Sequence, residues 1–253
     1  MALMTAEPAA VREARRRLEE HVAATTSRQT DHRERTADTW TVALGRRLVP
    51  SSARFRARMI ATNLMTPLER RRAAELQRRT PLLVHPGCQN VRKEGWVNVD
   101  LAGYPVELRW NLLRPLPFGA GTVDGVFHEH LLEHFSLTEG LALAQDWHRV
   151  LKSGGVVRIG VPDAGAYVSS YSDPDPNALK ELRPEAATKL LAVSALFYWP
   201  HHQTMYDFET LQLLVTAAGF QHVERREFGD TRLDPAPDSP HRRAETLYVE
   251  AIK

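Results

Sequence analysis

The stretch from residue 81 to residue 163 constrains the fold of this chain more than any other part. It contains short apolar runs that alternate with polar turns and with a segment of helical period, and its last apolar run extends from Val156 to Val161. Short strands separated by helix-period segments are typical of an α/β domain with a mainly parallel sheet. In such a sheet, ligands bind beyond the carboxyl ends of the strands.

A glycine and several polar residues follow the predicted strands at the end where a ligand would bind. Five of them stand just after an apolar run: Gly87, Asp100, Asn111, Glu129 and Asp163. Because the carboxyl ends of parallel strands meet along one edge of the sheet, we expect these residues to gather along a single rim. The sequence therefore predicts a ligand site at this rim, with Asp163 as a contact for the substrate.

Four motifs in this stretch resemble those of a known family in their order and spacing. They are Gly95-Trp96-Val97-Asn98-Val99-Asp100, Pro115 to Phe118, Glu129 to His134, and Arg149 to Gly155. Over residues 80–253 the chain resembles the class I S-adenosylmethionine-dependent methyltransferases, especially a subgroup with GWxNVD, PLPF, EHxLEH and RVLKPGG motifs. The resemblance implies a Rossmann-like α/β fold with a mostly parallel seven-stranded sheet, methyl transfer as the activity, and S-adenosyl-L-methionine as the cofactor.

The resemblance assigns the first cofactor contacts to the turn after the first predicted strand. His85, Gly87 and Cys88 lie there, and the family's GxG motif is Gly87-Cys88-Gln89 in this chain, without its second glycine. A glycine allows the main chain to approach a ligand closely because no side chain intervenes. The alternative is a tight turn in a Rossmann-like relative that binds no cofactor.

Further cofactor contacts follow from the resemblance at the ends of the next strands. Asp100 is expected to accept hydrogen bonds from the two ribose hydroxyls, which are donors. Its alternative role is that of a turn or capping aspartate. Asn111 is expected to accept from the adenine amine, and Leu112 to offer its backbone N–H to the adenine ring. Glu129 completes the predicted set.

The step between the first two strands is unusually short. A parallel crossover needs a dozen or more residues, usually with a full helix, and the distance from Gly87 to Trp96 is shorter than that. We therefore expect the helix between these strands to be abbreviated or lost. The short step also argues against a nicotinamide enzyme, whose fingerprint needs a G-x-G-x-x-G turn that opens a helix.

The EHxLEH motif places acid, base and metal-binding groups within six residues. Glu129 and His130 are expected at the end of the fourth strand, and both are candidate catalytic residues. Residues 131–134 are expected to start a helix, so that Glu129 shares one face with Glu133, and His130 another with His134. The pattern is not HExxH, and no metal ligand is assigned. Catalysis by a metal ion stays an alternative, with Mg²⁺ considered as a second cofactor.

A histidine in a later loop is the first candidate for the catalytic base. The segment from His201 to Asp207 is similar to an HxxxYD step of the same subgroup, and His202 aligns with its histidine. Histidine has a pKa near working pH, so it can accept a proton from a hydroxyl. The alternative is a histidine that only holds the loop. His202 ranks ahead of His130 as the base, while Glu129 orients a histidine, holds acceptor hydroxyls or binds a metal ion.

Tyr167 and Tyr206 are predicted substrate contacts in addition to Asp163. Tyr206 belongs to the HxxxYD step, and Tyr167 belongs to a set of aromatic residues over residues 167–199. These aromatic residues could form part of the core. They could equally form a wall against which the C–H groups of a sugar pack.

Charge is divided unevenly along the chain. Residues 1–80 hold 17 Arg, no Lys and 9 acidic residues, whereas residues 81–253 hold 16 basic and 22 acidic residues. We predict an N-terminal helical extension over 1–80 and a cofactor-binding domain over 81–253. The extension could cover a sheet edge, close over the site or build a homodimer. A basic segment can also bind nucleic acid, but aromatic residues do not interleave with its arginines, so a solvated helical face is preferred.

These observations together predict an O-methyltransferase that acts on a hydroxyl of a sugar or polysaccharide precursor, the acceptor class being implied by the resemblance. No apolar run is long enough to span a membrane, and a single cysteine rules out an internal disulfide framework. A cytoplasmic protein with a small-molecule or oligosaccharide acceptor is expected. The alternatives are a natural-product O- or N-methyltransferase, a cofactor-binding scaffold without activity, and a nucleic-acid methyltransferase, whose Asn/Asp-Pro-Pro-Tyr motif is absent.

Overall fold

A computed structural model describes residues 51–101, 106–198 and 201–253, together with residues 13, 16, 17, 19, 20, 22 and 23. The helices of these ranges are α1 (Ser51–Leu64), α2 (Thr66–Leu76), α3 (Leu137–Val150), α4 (Ala164–Ser172), α5 (Lys189–Tyr198) and α6 (Phe208–Ala217). The strands are β1 (Leu83–Pro86), β2 (Trp96–Asp100), β3 (Leu108–Arg109), β4 (Val123–Glu129), β5 (Leu151–Pro162), β6 (Gln221–Arg226) and β7 (Thr246–Ile252). The predicted boundary at residue 80 falls between α2 and β1.

The seven strands form one sheet in the order β3-β2-β1-β4-β5-β7-β6. Strands β3, β2, β1, β4 and β5 pair in parallel, whereas β7 runs antiparallel to both β5 and β6. The prediction of a seven-stranded, mostly parallel sheet is confirmed, and the sheet is mixed because β7 is reversed. The strand order changes direction between β1 and β4. In doubly wound sheets this switch point is where ligands bind, beyond the carboxyl ends of the strands.

One face of the sheet is covered by helices, and we call it the helical face. The N-terminus of α3 is fixed by a capping box, in which Ser136 and Glu139 exchange side-chain and main-chain hydrogen bonds. From this start, α3 presents Leu143, Trp147 and other apolar side chains to the sheet, where α6 also packs. This apolar packing is the main core of the protein.

The opposite face is covered by residues 227–243, the connection between β6 and β7, and we call it the loop face. Leu233 of this connection packs against Leu83, Trp96 and Phe127. Contact is close at Gly125, where an added Cβ would lie 2.5 Å from Leu233. No helix forms within residues 87–95, so the expected loss of the crossover helix is confirmed. The 227–243 loop occupies the face from which that helix is missing.

A buried arginine holds the 227–243 loop against the sheet. Arg158 of β5 binds both carboxylate oxygens of Asp238, at 2.6 and 2.5 Å, and lies 3.2 Å from Glu250 of β7. It also donates to the main-chain oxygens of Glu227 and Asp230. A planar guanidinium can satisfy several acceptors at once, so this one side chain fixes both ends of the loop.

The helices before the sheet attach to its β3 edge. The Thr62 hydroxyl of α1 donates to the Leu101 main-chain oxygen at 2.7 Å, and the buried Glu69 carboxylate of α2 accepts from the Arg109 N–H at 3.1 Å. Of the three roles predicted for the N-terminal extension, α1 and α2 perform the first, which is to cover a sheet edge. None of the helices in the described ranges is both long enough and apolar enough to span a membrane.

Candidate functional site

The turn after β1 requires glycine at its centre. Gly87 has a φ of +72°, which favours glycine, and a Cβ there would lie 2.5 Å from the Leu131 side chain. Its N–H and that of Cys88 both donate to the Val99 main-chain oxygen, at 2.8 and 3.2 Å. The turn is therefore folded tightly against the end of β2.

Asp100 ties the same turn to β2 from the other side. Its Oδ2 accepts from the Gln89 N–H at 2.8 Å, and its Oδ1 accepts from the Leu101 N–H at 2.6 Å. The carboxylate is half-buried at the carboxyl end of β2. The predicted ribose contact thus adjoins the predicted glycine turn, and in this structure it binds main-chain donors.

His85 is buried within β1, and Pro86 separates it from the turn at Gly87. Its Nδ1 lies 3.1 Å from Oδ1 of Asn98, and its ring packs on Phe127 at 5.2 Å between centroids. The Asn98 oxygen can only accept, so Nδ1 carries the hydrogen. Burial lowers the pKa of His85 to about 4, and the imidazole is neutral at pH 7.

The other predicted cofactor residues differ in their surroundings. Cys88 is buried, and burial raises the pKa of its thiol, so it has little thiolate character. Asn111 follows β3, and its side-chain oxygen accepts from the Leu113 N–H at 3.1 Å. Leu112 is half-buried against the core of the helical face.

A small cavity of about 30 Å³ lies at the switch point on the loop face. It is lined by His85, Gly87, Cys88, Gln89, Val91, Lys93, Glu129, Ser239, His241 and Arg242. Four predicted cofactor residues (His85, Gly87, Cys88 and Glu129) are therefore brought together here, whereas Asp100, Asn111 and Leu112 lie outside this lining. The volume is about that of one water molecule.

The 227–243 loop closes this cavity through Glu129. Oε1 of Glu129 accepts from the Ser239 N–H at 3.1 Å and from the Tyr248 hydroxyl at 3.0 Å. The Ser239 hydroxyl in turn accepts from Nζ of Lys93 at 3.0 Å, and burial lowers the pKa of that lysine. Sequence reasoning did not identify Lys93 and Ser239 as site residues.

His130 is fully engaged at the end of β4. The Thr246 hydroxyl donates to the Arg242 main-chain oxygen at 2.7 Å, so its oxygen accepts from Nε2–H of His130 at 2.9 Å. Nδ1 of His130 then accepts from the Arg242 guanidinium at 3.2 Å. Burial lowers the pKa of His130 well below its usual value. Both nitrogens are occupied, which leaves no lone pair for a substrate proton in this arrangement.

The helix expected over residues 131–134 does not form, and that prediction was wrong. His130 has a φ of +52°, and Leu132–His134 make only a short 3-10 turn before α3 begins at Leu137. Glu129 and Glu133 therefore do not share a helical face, and neither do His130 and His134. Instead the turn directs Glu133 inward, where its side chain is 1% exposed.

Glu133 and His202 meet beside this turn. Neither carboxylate oxygen of Glu133 forms a hydrogen bond with another residue, and burial raises its pKa to about 8. Nδ1 of His202 donates to the Leu196 main-chain oxygen at 2.7 Å, and burial lowers the pKa of this half-buried ring. The His202 ring centroid is 4.9 Å from that of His134.

The three predicted substrate residues are engaged or buried within the protein itself. Asp163 caps α4 through the Ala166 N–H at 3.0 Å and pairs with Arg225 at 2.9 Å. Tyr167 and Tyr206 are buried, and burial raises the pKa of each to about 12. None of the three lines the cavity. Their role toward a substrate stays a prediction.

Comparison with known proteins adds a family match. Residues 88–159 match the family model of a methyltransferase domain. No curated protein matches the sequence significantly.

Several solved structures are distantly similar to the chain. One is an S-adenosylmethionine-dependent methyltransferase from Archaeoglobus fulgidus, at 15% identity and a TM-score of 0.46, covering 85% of this chain and 100% of that one. Another, from Thermotoga maritima, has 15% identity and a TM-score of 0.42 over 78% of this chain and 97% of that one. A third, from Mesorhizobium loti, has 17% identity and a TM-score of 0.39 over 68% and 90%. At these values the likeness carries nothing about substrate.

The matched region coincides with the candidate site. It begins at Cys88 in the turn after β1 and ends at Ile159 in β5, so it contains Asp100, Glu129 and the strands on both sides of the switch point. Over residues 88–159 the chain is thus similar to a methyltransferase domain, and its sheet has the strand order and switch point of a Rossmann-like α/β fold.

Proposed function

We propose that this protein is an S-adenosylmethionine-dependent methyltransferase that transfers a methyl group to a hydroxyl of a sugar or polysaccharide precursor, with the cofactor bound at the switch point. The observation that carries the cofactor site is the hydrogen bond from the glycine turn after β1 to the carboxylate that ends β2. This contact, from Gln89 N–H to Asp100, brings the two motifs expected to hold methionine and ribose to the same point of the rim.

The side chains that line the cavity, together with Asp100 at the adjoining end of β2, suit the parts of S-adenosylmethionine chemically. Asp100 can accept from the ribose diol, and Glu129 can accept from the ammonium group of the methionine portion. Lys93 and Arg242 can neutralise its carboxylate. The cofactor supplies an electrophilic methyl group on a sulfonium. A cavity of about 30 Å³ is far below the several hundred Å³ of a typical ligand pocket, and the proposal therefore includes a movement of the 227–243 loop away from Glu129 when the cofactor binds.

Calorimetry with S-adenosylhomocysteine tests the cofactor site. Asp100→Ala should weaken binding roughly tenfold to a hundredfold, because hydrogen bonds to a charged group contribute about 1.5–3 kcal/mol. Asp124→Ala is a matched control, since Asp124 accepts from the Leu82 N–H at 2.8 Å at the opposite end of the sheet and should leave affinity unchanged. Equal affinities of the wild type and Asp100→Ala would remove the ribose assignment.

A sugar acceptor is supported by aromatic side chains on α4 and α5. Tyr171, Phe197 and Tyr198 are exposed, the last of them by 85%, whereas Tyr167 lies in the core and Trp199 lies outside the described residues. Exposed rings offer faces against which sugar C–H groups can pack. An acceptor screen with methyl-labelled cofactor tests this proposal. If Tyr198→Ala transfers methyl groups to sugars as the wild type does, the aromatic surface is not part of the acceptor site.

His202 is the proposed residue for handling the acceptor proton. Its Nδ1 is a donor to Leu196, so Nε2 carries the lone pair and can bind a proton or a metal ion. The geometry supports it over His130, whose nitrogens are both engaged. His202→Ala should lower kcat far more than it weakens S-adenosylhomocysteine, because the interaction belongs to the transition state. A normal kcat in this variant would contradict the assignment.

A further inference from the structure

The turn after β4 and the loop before α6 bring one carboxylate and two imidazoles together outside the cavity. Ligand atoms of Glu133, His134 and His202 all lie within 4.8 Å of one another. The two rings meet edge to face, at an interplanar angle of 68°. The three residues come from segments about 70 positions apart in the chain, so the HExxH-type spacing of a local metal motif could not reveal them.

The Glu133 carboxyl is unsatisfied in a buried position. Its side chain is 1% exposed, and neither oxygen has a hydrogen-bond partner. Nδ1 of His130 lies 3.4 Å from Oε1, but that nitrogen already accepts from Arg242. Burial of a polar group without a partner costs several kcal/mol, and buried charges in proteins are normally paired or coordinate metals. A metal ion bound to this carboxyl group would supply the partner that it lacks.

His202 is oriented in the manner of a metal ligand. Histidine ligands almost always donate their second ring N–H to a carbonyl or carboxylate, which fixes the tautomer and raises the basicity of the ligating nitrogen. His202 makes this bond to the Leu196 oxygen at 2.7 Å. Its Nε2 therefore presents a lone pair, as ligation requires.

Hydrogen bonds between the two segments fix the ligands relative to one another. The Gln203 N–H donates to the main-chain oxygen of Glu133 at 2.7 Å, and the Gln203 side-chain amide donates to that of His134 at 2.6 Å. The Thr204 hydroxyl donates to the Phe135 oxygen at 2.9 Å. The main chain is thus held in place independently of any ion, and a site of this kind is preorganised.

The nearby arginines do not exclude a cation. Arg242 and Arg183 both lie close enough to affect the cluster, but each pairs with Glu245, at 3.0 and 3.1 Å. A metal ion that binds Glu133 displaces the proton of its carboxyl group, and the carboxylates of Glu133 and Glu245 then offset these two positive charges. A divalent ion would then add charge to a neutral region rather than to a positive one.

We propose that Glu133, His134 and His202 bind a divalent transition metal, with Zn²⁺ the best match. Zinc takes imidazole and carboxylate ligands at about 2.0–2.2 Å, and three protein ligands leave a fourth position open. Donors around such an ion are roughly 3.3 Å apart, so side-chain rotations of about 1 Å close the site. Mg²⁺ is disfavoured because it prefers oxygen ligands in octahedral geometry.

Metal binding at this cluster does not rest on the proposed cofactor site, but it changes the role of His202 in the proposed function. With a metal bound, His202 is a ligand and not a free base. A ligand in the open position, such as an acceptor hydroxyl, would then be polarised by the ion. The stretch of chain involved is next to Glu129 and His130, at the same rim of the sheet as the cavity.

Metal analysis of the full-length protein without a histidine tag tests the proposal. After treatment with chelator and addition of Zn²⁺ followed by desalting, we expect about one equivalent per chain by elemental analysis, and a rise in Tm. Co²⁺ should give the visible spectrum of a tetrahedral site. Glu133→Gln and His202→Gln should each weaken binding at least tenfold. His201→Asn, at the exposed neighbouring histidine, should bind as the wild type does.

Two results would overturn the proposal. One is a wild type that retains less than about a tenth of an equivalent of Zn²⁺ or Co²⁺. The other is Glu133→Gln and His202→Gln variants that are folded by circular dichroism and bind metal as tightly as the wild type. Calorimetry with S-adenosylhomocysteine, run on the same samples, separates this inference from the proposed function, because cofactor binding at Asp100 does not involve these ligands.

Discussion

The two faces of the sheet are covered by different chemistry. On the helical face, α3 and α6 bury apolar side chains such as Trp147 and Leu211. On the loop face, a few apolar contacts around Leu233 are joined by the buried network of Arg158, Asp238 and Glu250. The difference follows from the short step between β1 and β2, which removes a helix and leaves the connection between β6 and β7 to cover the sheet.

This difference explains where the cavity proposed for the cofactor lies. Ser239 and Arg242, which reach the cavity, belong to the 227–243 loop on the loop face. Hydrogen bonds and ion pairs can exchange with water or ligand, whereas an apolar interface loses its stabilisation when it separates. The loop face is therefore the one that can open for a ligand, while the helical face keeps the strands in place.

The largest effect that distinguishes the two faces is expected at Arg158. Arg158→Met leaves the buried Asp238 carboxylate without its ion-pair partner, whereas Glu250 keeps Arg226 and Arg232. Removal of one member of a buried pair costs about 3–5 kcal/mol, so the free energy of unfolding from urea denaturation should fall by that amount. Lys152 lies on the same strand as Arg158, and Lys152→Met, which breaks an exposed pair with Asp124 of β4, should cost less than about 1 kcal/mol.

Neutralising the partner sharpens this comparison. Adding Asp238→Asn to Arg158→Met should recover part of the loss, because the uncompensated buried charge is gone. If Arg158→Met and Lys152→Met have the same stability, the network does not hold the loop face, and the apolar contacts of Leu233 must do so.

The next-largest effect is expected on the helical face, where a buried histidine makes the free energy of unfolding depend on pH. His128 packs on Trp147 at 4.6 Å between ring centroids, neither of its nitrogens has a hydrogen-bond partner, and burial lowers its pKa to about 3. Below about pH 6.5 the unfolded chain protonates this histidine, whereas the folded chain does so only near pH 3. Protonation of His128 therefore has no effect on the free energy of unfolding above about pH 6.5, and it lowers that free energy progressively as the pH falls below this value.

Replacement of His128 by phenylalanine should remove this decline. Each pH unit between 6.5 and 3 changes the free energy of unfolding by up to about 1.4 kcal/mol, or about 2 kcal/mol at pH 5. Urea denaturation of wild type and His128→Phe between pH 7.5 and 5 measures the two slopes. His85, with its pKa of about 4, should keep part of the slope in the variant. Identical slopes would show that His128 is already paired or hydrated when folded.

The sequence predicted the parts of the site that depend on local pattern. Gly87, Asp100 and Glu129 were expected at strand ends because apolar runs stop there, and each lies at the carboxyl edge of its strand. Lys93 and Ser239 were missed because their placement depends on how the 227–243 loop folds back. One signal was present: Arg158 interrupts the apolar run of β5, and a charge within a buried strand needs distant partners.

The wrong helix in the EHxLEH motif has a similar cause. Spacing of i and i+4 describes residues on a helix, but the backbone at His130 adopts a positive φ. That conformation accompanies bonds to Thr246 and Arg242, more than 100 residues away. No pattern within the motif contains this information, so Glu133 and His202 could be brought together only by the tertiary structure.

The smallest effect is expected at the contact that closes the loop over the cavity. Ser239→Ala removes the hydroxyl that accepts from Lys93 at 3.0 Å, and one hydrogen bond contributes about 0.5–1.5 kcal/mol. Because this bond exists only while the loop is closed, its loss should shift the population toward the open form. Apparent affinity for S-adenosylhomocysteine, measured by calorimetry, should therefore rise by up to about tenfold.

A control variant that loses a comparable hydrogen bond at the opposite end of the sheet distinguishes loop opening from general destabilisation. The Thr122 hydroxyl donates to the Gly119 oxygen at 2.8 Å, and Thr122→Ala should not raise the affinity for S-adenosylhomocysteine. The comparison requires Lys93 itself to be intact, since it is a proposed contact of the cofactor carboxylate. If Ser239→Ala and Thr122→Ala bind S-adenosylhomocysteine equally, the closed loop does not compete with the cofactor. The loop face would then be as fixed as the helical face, and the cofactor would have to enter from the side of Asp100 and Asn111.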